Sequence, residues 1–461
     1  MDARTFSLAP SSRRRGLFAA LVLLFALLSV QYSLKARENR SAFLRWREQV
    51  VDLDQGIDIY QRHNYPNPPV MALLLLPLAK LPPLAGALGW FWLKAALTLL
   101  ALGWLFRLVG EPGRPFPFVA EVLTVLLGLR PIMGDLSHGN VNLLILFLVI
   151  AALIAFRRRR DLTAGLLLGL AIAYKVTPAL FVPYFLWKRS WKLLAGCAAG
   201  VALFLWPGLL PAALLGWQRN EQLLHSWADR MIEPYVVQGI VTSEHQNQSL
   251  PGLFYRLLTD SPSFSTWDYE ENRRLSVEYH NLASLDPRLV GGLVKGCMLL
   301  FAGLGVWLCR APTQPRASWR LAAEYSVVVL GMLLFCERTW KHHCVTLLLP
   351  FAVLSYQLTA FRPGRRLRGY LIGTLLLVGM LMALTSTSIL DNAAKLAQVY
   401  GAYVWGYLLL LAALGVVLKR EGAAFQSALP YFTATRPVVL VSPPATRELA
   451  SPTQNPPAFK T

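Results

Sequence analysis

The sequence predicts an all-α fold, a polytopic bundle of helices that crosses a membrane several times. The composition indicates this, because 55% of the 461 residues are hydrophobic and the mean hydropathy is +0.44. Charged residues make up only 15% of the chain, whereas soluble domains carry about 25%, and lipid offers no water to charged side chains. The apolar residues also collect in runs of about 20, the length of helix that crosses a bilayer.

The basic residues orient these runs. They form short clusters between the apolar runs, at residues 13–15, 157–160, 188–189 and 362–368. Such clusters mark the cytoplasmic ends of membrane helices. Topology therefore explains the formal net charge of +20, and no nucleic acid is expected as a partner. With the clusters inside, both termini are predicted to be cytoplasmic.

The apolar runs predict about 10 to 12 membrane segments. Crossing helices are expected at about residues 16–33, 84–106, 116–131, 140–156, 191–210, 289–309, 321–336, 344–361, 369–388 and 400–418. No small-residue cleavage site follows the first run, so we interpret it as a retained span rather than a signal peptide. Residues 68–81 are apolar but short and bounded by prolines, and we expect a helix that lies at the outer membrane surface.

This path divides the chain into three regions. Residues 1–15 are a predicted cytoplasmic tail, and residues 16–420 form the membrane domain, with external loops at about 34–83 and 211–288. Short surface helices are expected in the second loop. Residues 421–461 are polar and contain prolines, and they predict a second cytoplasmic tail without fixed structure. The five cysteines form no CxxC pair, so neither a disulfide framework nor a zinc site is expected.

Residues 162–187 carry the strongest single indication of function. The stretch begins and ends beside basic clusters and has Lys175 and Pro178 at its middle. We expect two half-length helices that enter from the cytoplasmic side and turn back, because broken helices at membrane depth are buried in protein or line a cavity. A single tilted crossing is the alternative. A lysine centred in an apolar segment is costly and indicates a functional site.

Further polar clusters are predicted on the external side. They lie in the first external loop, in a turn at 134–142, and at 244–249 and 337–343. A carboxylate of the first loop would act as general base for an incoming hydroxyl; the candidates are Glu38, Asp52 and Asp54. The candidate substrate-binding residues are Asp58, Tyr60, His138, Asn140, Asn142, Lys175, Asn247, Gln248, Arg338, Lys341, His342 and His343. Asp58 is also expected to order the loop before Tyr60.

Together these clusters predict an anionic substrate that is partly embedded in the membrane. Lys175, Arg338 and Lys341 would bind a phosphate, and asparagines and histidines would contact sugar hydroxyls. A lipid-phosphate-linked sugar meets these requirements. His342 and His343 are adjacent, but no acidic or cysteine partner stands at a zinc-site spacing, so no metal is expected. No cofactor is expected either.

Four short motifs follow one another along the chain. They are Gly56-Ile57-Asp58-Ile59-Tyr60 with Tyr65-Pro66-Asn67-Pro68-Pro69, then Gly139-Asn140-Val141-Asn142, Lys175 with Pro178, and Trp340-Lys341-His342-His343, while Asn247-Gln248-Ser249-Leu250 adds a weaker match. With these motifs the chain resembles glycosyltransferase family 87, the polyprenyl-phosphate-mannose-type transferases of the GT-C fold. The resemblance covers most of residues 16–420.

The resemblance implies a metal-independent, inverting transfer of a hexose, with mannose expected. The implied donor is a polyprenyl-phosphate sugar, and the implied acceptor is a glycan or glycolipid on the periplasmic or extracellular side of the cell membrane. It also implies an acidic base in the first external loop. This chain departs from the family pattern twice, because Ala42 stands where an aspartate is usual and Asn140 replaces a glutamine. The identity of the base therefore stays open.

Two other functions fit the same clusters. A carrier or flippase for lipid-linked sugars or other anions would use a cationic cavity without a base. A polymer ligase of related fold would join a preassembled glycan rather than one sugar. Carriers commonly show internal repeats, and none stands out in this sequence. The membrane glycosyltransferase is therefore the leading hypothesis.

Overall fold

The computed structural model describes residues 12–63, 65–268 and 273–432, and these are almost entirely helical. The α-helices are α1 Ser12–Arg37, α2 Ala42–Asp54, α3 Ile59–His63, α4 Pro69–Ala79, α5 Pro83–Val109, α6 Phe118–His138, α7 Asn142–Arg157, α8 Asp161–Tyr174, α9 Phe181–Trp187, α10 Trp191–Phe204, α11 Leu209–Leu215, α12 Trp217–Trp227, α13 Leu250–Leu258, α14 Pro287–Leu308, α15 Trp319–Leu334, α16 Leu348–Ala360, α17 Arg365–Leu384, α18 Thr387–Val399 and α19 Ala402–Phe432. Thr177–Leu180 and Lys341–Leu347 are 3₁₀ helices, and Ala228–Val237 is a π-helix.

The described helices confirm an all-α protein that crosses a membrane several times. By length and composition, 7 helical stretches can cross: α1, α5, Trp191–Leu215, α14, Lys341–Ala360, α17 and the first part of α19. Each lies on a span expected from the sequence. The other three expected spans correspond to α6, α7 and α15, and α4 is too short to cross. The position of α4 at the outer surface stays a prediction.

Three features differ from the sequence prediction. The expected turn at 134–142 is shorter, because α6 continues to His138 and ends at Gly139, whose left-handed conformation (φ +80°) closes the helix. A helix, α18, occupies the stretch between the last two expected spans, for which the sequence predicted no element. The predicted second external loop contains the expected short helices but also an antiparallel hairpin, β1 Phe264–Asp268 and β2 Arg273–Glu278, in a stretch for which the sequence analysis predicted no strand.

The broken hairpin predicted around Lys175 is confirmed. Helix α8 ends at Tyr174, Lys175 is extended (φ −157°, ψ 125°), and a 3₁₀ turn leads into α9. Both ends of the hairpin contact the same connection between α14 and α15. Asp161 forms an ion pair with Arg316, and Lys188 Nζ donates to the carbonyl of Ala311 at 2.5 Å. The chain therefore turns back at Lys175 instead of crossing.

The predicted tails lie mostly outside the described residues. Residues 1–11, Asn64, 269–272 and 433–461 are not described, and the cytoplasmic tails stay predictions. The chain divides into two units after Leu418. All residues of the candidate site belong to the first unit.

Candidate active site

A cavity of about 710 Å³ lies in the first unit, beside the hairpin break; it is called the first cavity below. Its wall includes Lys175 from the break and Arg338 from the segment before the second 3₁₀ helix. Apolar side chains form much of the remaining wall: Leu180, Met231, Ile232, Val236, Met332 and Phe335. A cavity with cations at one part of its wall and apolar side chains at another suits an amphiphilic anion.

Lys175 ends a buried chain of polar contacts. Its Nζ donates to Asn142 Oδ1 at 2.7 Å, and Asn142 Nδ2 donates to Asp135 Oδ2 at 2.9 Å. The other carboxylate oxygen of Asp135 accepts from Lys94 Nζ at 3.0 Å. Lys94 and Asp135 are fully buried. This network holds Asn142 in place, so that Lys175 is positioned at the cavity wall.

Sequence reasoning missed Lys94 and did not assign a role to Asp135. The signal was present, because Lys94 stands in the middle of an apolar helix, as Lys175 stands in the middle of an apolar stretch. Its partner could not be read from the sequence, since Asp135 lay in what was predicted as an external turn.

Two histidines from distant parts of the chain meet in the wall of the first cavity. The rings of His138, at the end of α6, and His342 stack with their centroids 4.9 Å apart. Asn140 Nδ2 donates to His342 Nε2 at 2.9 Å. His343 lies beside this pair, with its ring centroid 4.8 Å from that of His342. The structure thus brings together four predicted substrate-binding residues.

A second cavity, of about 920 Å³, adjoins the first. Its wall contains four cationic side chains, those of Lys35, Arg40, Arg130 and Lys341. His138, Trp340 and His342 line both cavities. The three form a shared wall, at which molecules bound in the two cavities would meet.

The expected phosphate-binding trio is divided between the cavities. Lys175 and Arg338 line the first, whereas Lys341 lines the second, where its Nζ donates to the carbonyl of Thr385 at 3.1 Å. Arg338 lies over the ring of Tyr235, with its guanidinium carbon 5.6 Å from the ring centroid. Lys341 and Arg338 are close in sequence but face different cavities, because the chain turns at Trp340 before the 3₁₀ helix begins.

The three carboxylates predicted as candidate bases line neither cavity. Glu38 is exposed and pairs with Arg40 at 3.1 Å. Asp52 pairs with His63 at 2.6 Å, and Asp54 with Lys80 at 2.9 Å. These ion pairs hold the predicted first external loop together, and their positions give no support to a catalytic role.

The first-loop residues Asp58 and Tyr60 order the loop instead of lining a cavity. The Asp58 carboxylate accepts from the backbone amide of Tyr60 at 2.9 Å and from Ser226 Oγ at 2.5 Å. The Tyr60 hydroxyl is buried and donates to the carbonyl of Asn67 at 2.9 Å. Burial raises the pKa of Tyr60 well above its ordinary value. The expected ordering role of Asp58 agrees with these contacts.

Asn247 and Gln248 are also structural in their contacts. Asn247 Nδ2 donates to the carbonyls of Thr242 and Glu337, and its Oδ1 accepts from the amide of Thr339 at 2.9 Å. Gln248 Nε2 donates to the carbonyl of Gln398 at 2.8 Å. Both side chains are buried, and neither lines the two cavities. Asn247 fastens the predicted second external loop to the segment that carries Arg338, and Gln248 fastens it to α18.

Glu337 is a site residue that sequence reasoning did not select. Among the described residues that line the two cavities, it is the single carboxylate, and it lines the first. Its Oε2 accepts from Cys336 Sγ at 3.1 Å. Its neighbours Arg338 and Lys175 in the same wall give it the position of a counterion. The sequence signal was its place three residues before Trp340.

Comparison with known proteins decides the family. The profile of glycosyltransferase family 87 matches residues 65–336. The chain belongs to this family. It is therefore a multi-pass membrane glycosyltransferase, a hexosyltransferase with the all-α membrane fold expected from the sequence, and the carrier hypothesis gives way to the enzyme.

Several curated proteins are similar to this family 87 member. A polyprenol-phosphate-mannose-dependent alpha-(1-2)-phosphatidylinositol mannoside mannosyltransferase of Mycobacterium tuberculosis is 26% identical over 76% of this chain and 76% of its own length. The protein with the same description in Mycolicibacterium smegmatis is 26% identical over 75% of this chain and 72% of its own. A GPI mannosyltransferase 1 of Aspergillus oryzae is 31% identical over 29% of this chain and 32% of its own.

A solved structure also aligns with the chain. It is ArnT from Cupriavidus metallidurans bound to undecaprenyl phosphate, with a TM-score of 0.35 and 14% sequence identity. The alignment covers 90% of this chain and 80% of ArnT.

Proposed function

We propose that the protein transfers mannose from polyprenyl-phosphate mannose to a hydroxyl of a glycolipid or glycan acceptor. The observation that supports this most directly is the shared wall of His138, Trp340 and His342 between two cavities. A transferase must bring two substrates together at one reacting bond. The relatives that use polyprenol-phosphate mannose, by their descriptions, support the choice of donor.

The first cavity is the proposed donor site. Lys175 and Arg338 would bind the phosphate. Lys175 would act as a compact positive charge, and Arg338 would donate two parallel N–H bonds from its planar guanidinium. The polyprenyl chain would lie along the apolar part of the wall, where its burial is favourable. Asn140 and His342 would contact the mannose hydroxyls at the shared wall.

The second cavity is the proposed acceptor site. Of its four cations, Arg40 pairs with Glu38 at 3.1 Å, whereas Lys35, Arg130 and Lys341 form no ion pair with a carboxylate of the described residues. They would attract an acceptor with an anionic group, such as the phosphate of a glycolipid. The two mycobacterial relatives act, by their descriptions, on phosphatidylinositol mannosides, which carry such a group.

The reaction forms one bond and breaks one. The acceptor oxygen would bond to the anomeric carbon of mannose as the bond between that carbon and the phosphate oxygen breaks. Polyprenyl phosphate would leave with the bonding electrons, and the acceptor proton would pass to a base. Lys175 and Arg338 would stabilise the charge that develops on the phosphate as it leaves.

The site is proposed to face the periplasm or the extracellular space. The basic clusters support this orientation, because residues 157–160 and 188–189 would then be cytoplasmic. Lys175 lies at the far tip of the hairpin from both clusters.

The full-length protein in lipid nanodiscs, incubated with radiolabelled polyprenyl-phosphate mannose and a phosphatidylinositol mannoside, tests the proposal. We expect a mannosylated lipid and free polyprenyl phosphate in equal amounts. A reaction without the phosphatidylinositol mannoside should give no mannosylated acceptor. Movement of intact donor across a liposome membrane, without transfer, would support the carrier hypothesis instead.

A further inference from the structure

We propose that His138 is the general base that deprotonates the acceptor hydroxyl. The inference rests on the proposed mannosyl transfer and names the residue that takes the proton. Its basis is position, because His138 lines both cavities and lies where donor and acceptor would meet. A general base must lie within hydrogen-bond reach of the attacking hydroxyl, and such a hydroxyl would enter from the second cavity.

The predicted carboxylate bases are in the wrong places for this step. Asp52 and Asp54 each form an ion pair outside both cavities, and Glu38, which lines neither cavity, pairs with Arg40 of the second cavity's wall. Ala42 does line the first cavity, but it has no titratable group. Glu337 lines only the first cavity, with Cys336 as a donor and Arg338 beside it, which suits a counterion of the donor site rather than a base facing the acceptor.

The end of α6, which carries His138, packs against the start of α2 in the predicted first external loop. Gly139 packs so closely there that a Cβ would lie 2.8 Å from Ser41 Oγ and 3.3 Å from the amide of Phe43. Ala42 stands between those two residues, and both Ala42 and His138 line the first cavity. The position that lacks a carboxylate and the histidine thus adjoin the same part of the cavity.

Stacking orients the ring of His138, and its nitrogens stay free of hydrogen bonds to the described protein groups. It stacks on His342, which Asn140 holds through a hydrogen bond of 2.9 Å. In the described part of the chain, no protein group hydrogen-bonds to the His138 nitrogens, and the ring is partly exposed to the cavities. One nitrogen is therefore available to accept a proton from a bound acceptor.

Transfer of the acceptor proton to His138 and then to water requires no further reactant. The lone pair of a His138 nitrogen takes the acceptor proton while the acceptor oxygen bonds to the anomeric carbon and polyprenyl phosphate leaves. The imidazolium then loses its proton to water before the next turnover. The charged and titratable groups that face the ring are Lys35, Arg45, Lys94, Asp135 and His342.

The test compares the full-length wild type with His138→Gln in nanodiscs, using polyprenyl-phosphate mannose and a phosphatidylinositol mannoside as substrates. We expect kcat to fall by at least about a hundredfold, the scale of a lost general base, with donor binding within about threefold of wild type. The wild-type rate should fall on the acidic side as the imidazole is protonated, and the variant should lack this decrease. Imidazole added to His138→Ala should restore part of the rate, which a purely structural role would not allow.

Matched variants separate loss of the base from other causes of a lower rate. His225→Gln changes an exposed histidine on α12, outside both cavities, and should keep the wild-type rate and pH profile. Glu337→Gln and His342→Gln should both retain the acidic decrease, whatever their rates. The proposal is overturned if His138→Gln keeps a rate within tenfold of wild type, or if the decrease disappears with Glu337→Gln or His342→Gln instead. Absence of transfer by the wild type would contradict the proposed function itself.

Discussion

Lys175 is the residue whose environment most closely matches its proposed task. It lies at a break in an apolar hairpin, lines the first cavity and donates a hydrogen bond to Asn142 at 2.7 Å. A lysine placed this way retains further N–H bonds for a ligand, because its ammonium carries three donors. The contacts place the ammonium at the wall of the first cavity, where its remaining N–H bonds are available to a phosphate.

Lys175→Ala is expected to weaken donor binding. Loss of a charged hydrogen bond to phosphate costs about 1.5–3 kcal/mol, which corresponds to roughly 10- to 150-fold in dissociation constant. Lys192→Ala, an exposed lysine on α10, is the control. Titration of both variants with fluorescent polyprenyl-phosphate mannose measures the effect. Equal affinities for the two would show that Lys175 does not bind the donor.

The Lys94–Asp135 pair is expected to stabilise the fold as a pair rather than through either residue alone. Lys94→Met leaves a buried carboxylate without its cation, which costs roughly 3–5 kcal/mol. Lys94→Met combined with Asp135→Asn removes both charges and should recover part of this loss. Thermal unfolding in detergent compares the single and double variants. If the double variant is less stable than Lys94→Met, the two residues do not act as a compensating pair.

At the scale of elements, the broken hairpin depends on close packing between α8 and α10. A Cβ at Gly165 would lie 2.0 Å from the carbonyl oxygen of Leu193, and one at Gly169 would lie 2.7 Å from the carbonyl oxygen of Cys197. Only glycine leaves the backbones free to approach so closely. This contact supports the half-length helix, which by itself is too short to cross a membrane.

Gly165→Ala is therefore expected to destabilise the protein. The added methyl group must push α8 away from α10, and overpacking of this kind costs about 1–3 kcal/mol. Gly303→Ala is the matched control, because a Cβ there on α14 meets nothing within 4 Å. Unfolding temperatures of the purified variants give the comparison. A stable Gly165→Ala protein would contradict the packing of the two helices.

The whole molecule places both ends of the hairpin together and its tip elsewhere. Asp161 and Lys188 contact the same connection between α14 and α15, whereas Lys175 contacts Asn142 at the opposite end of α7 from Arg157. The first and second cavities therefore lie toward the end of α7 that carries Asn142, and the basic cluster at residues 157–160 lies at its other end. The positive-inside rule then predicts the sidedness of the site.

Single cysteines in a variant lacking the native cysteines should report this sidedness. Cysteines at Asp54 and Tyr235 should react with an impermeant maleimide added outside intact cells. Cysteines at Arg160 and Arg189 should react only after the cytoplasmic face is opened. The opposite pattern would place the site in the cytoplasm. Labelling of Arg160 and Arg189 from different sides would contradict the turned-back hairpin.

The sequence by itself determined the segments and their chemistry. Hydropathy and basic clusters are properties of one stretch of chain, so the spans, the hairpin break at Lys175 and the polar motif at Trp340 could be predicted from them. The same holds for the likeness to family 87, since it rests on short motifs such as Gly139-Asn140-Val141-Asn142. The predicted boundaries differ where a helix continues into polar sequence, as α6 does to His138.

Only the tertiary structure decided which residues meet. The pairing of Lys94 with Asp135, the stacking of His138 on His342 and the separation of Lys341 from Lys175 all depend on how distant helices pack. The ion pair of Asp52 with His63 depends equally on the folded loop. The sequence contained every one of these groups, but a charge or a ring acquires its role from the neighbours that packing gives it, and packing is a property of the whole chain.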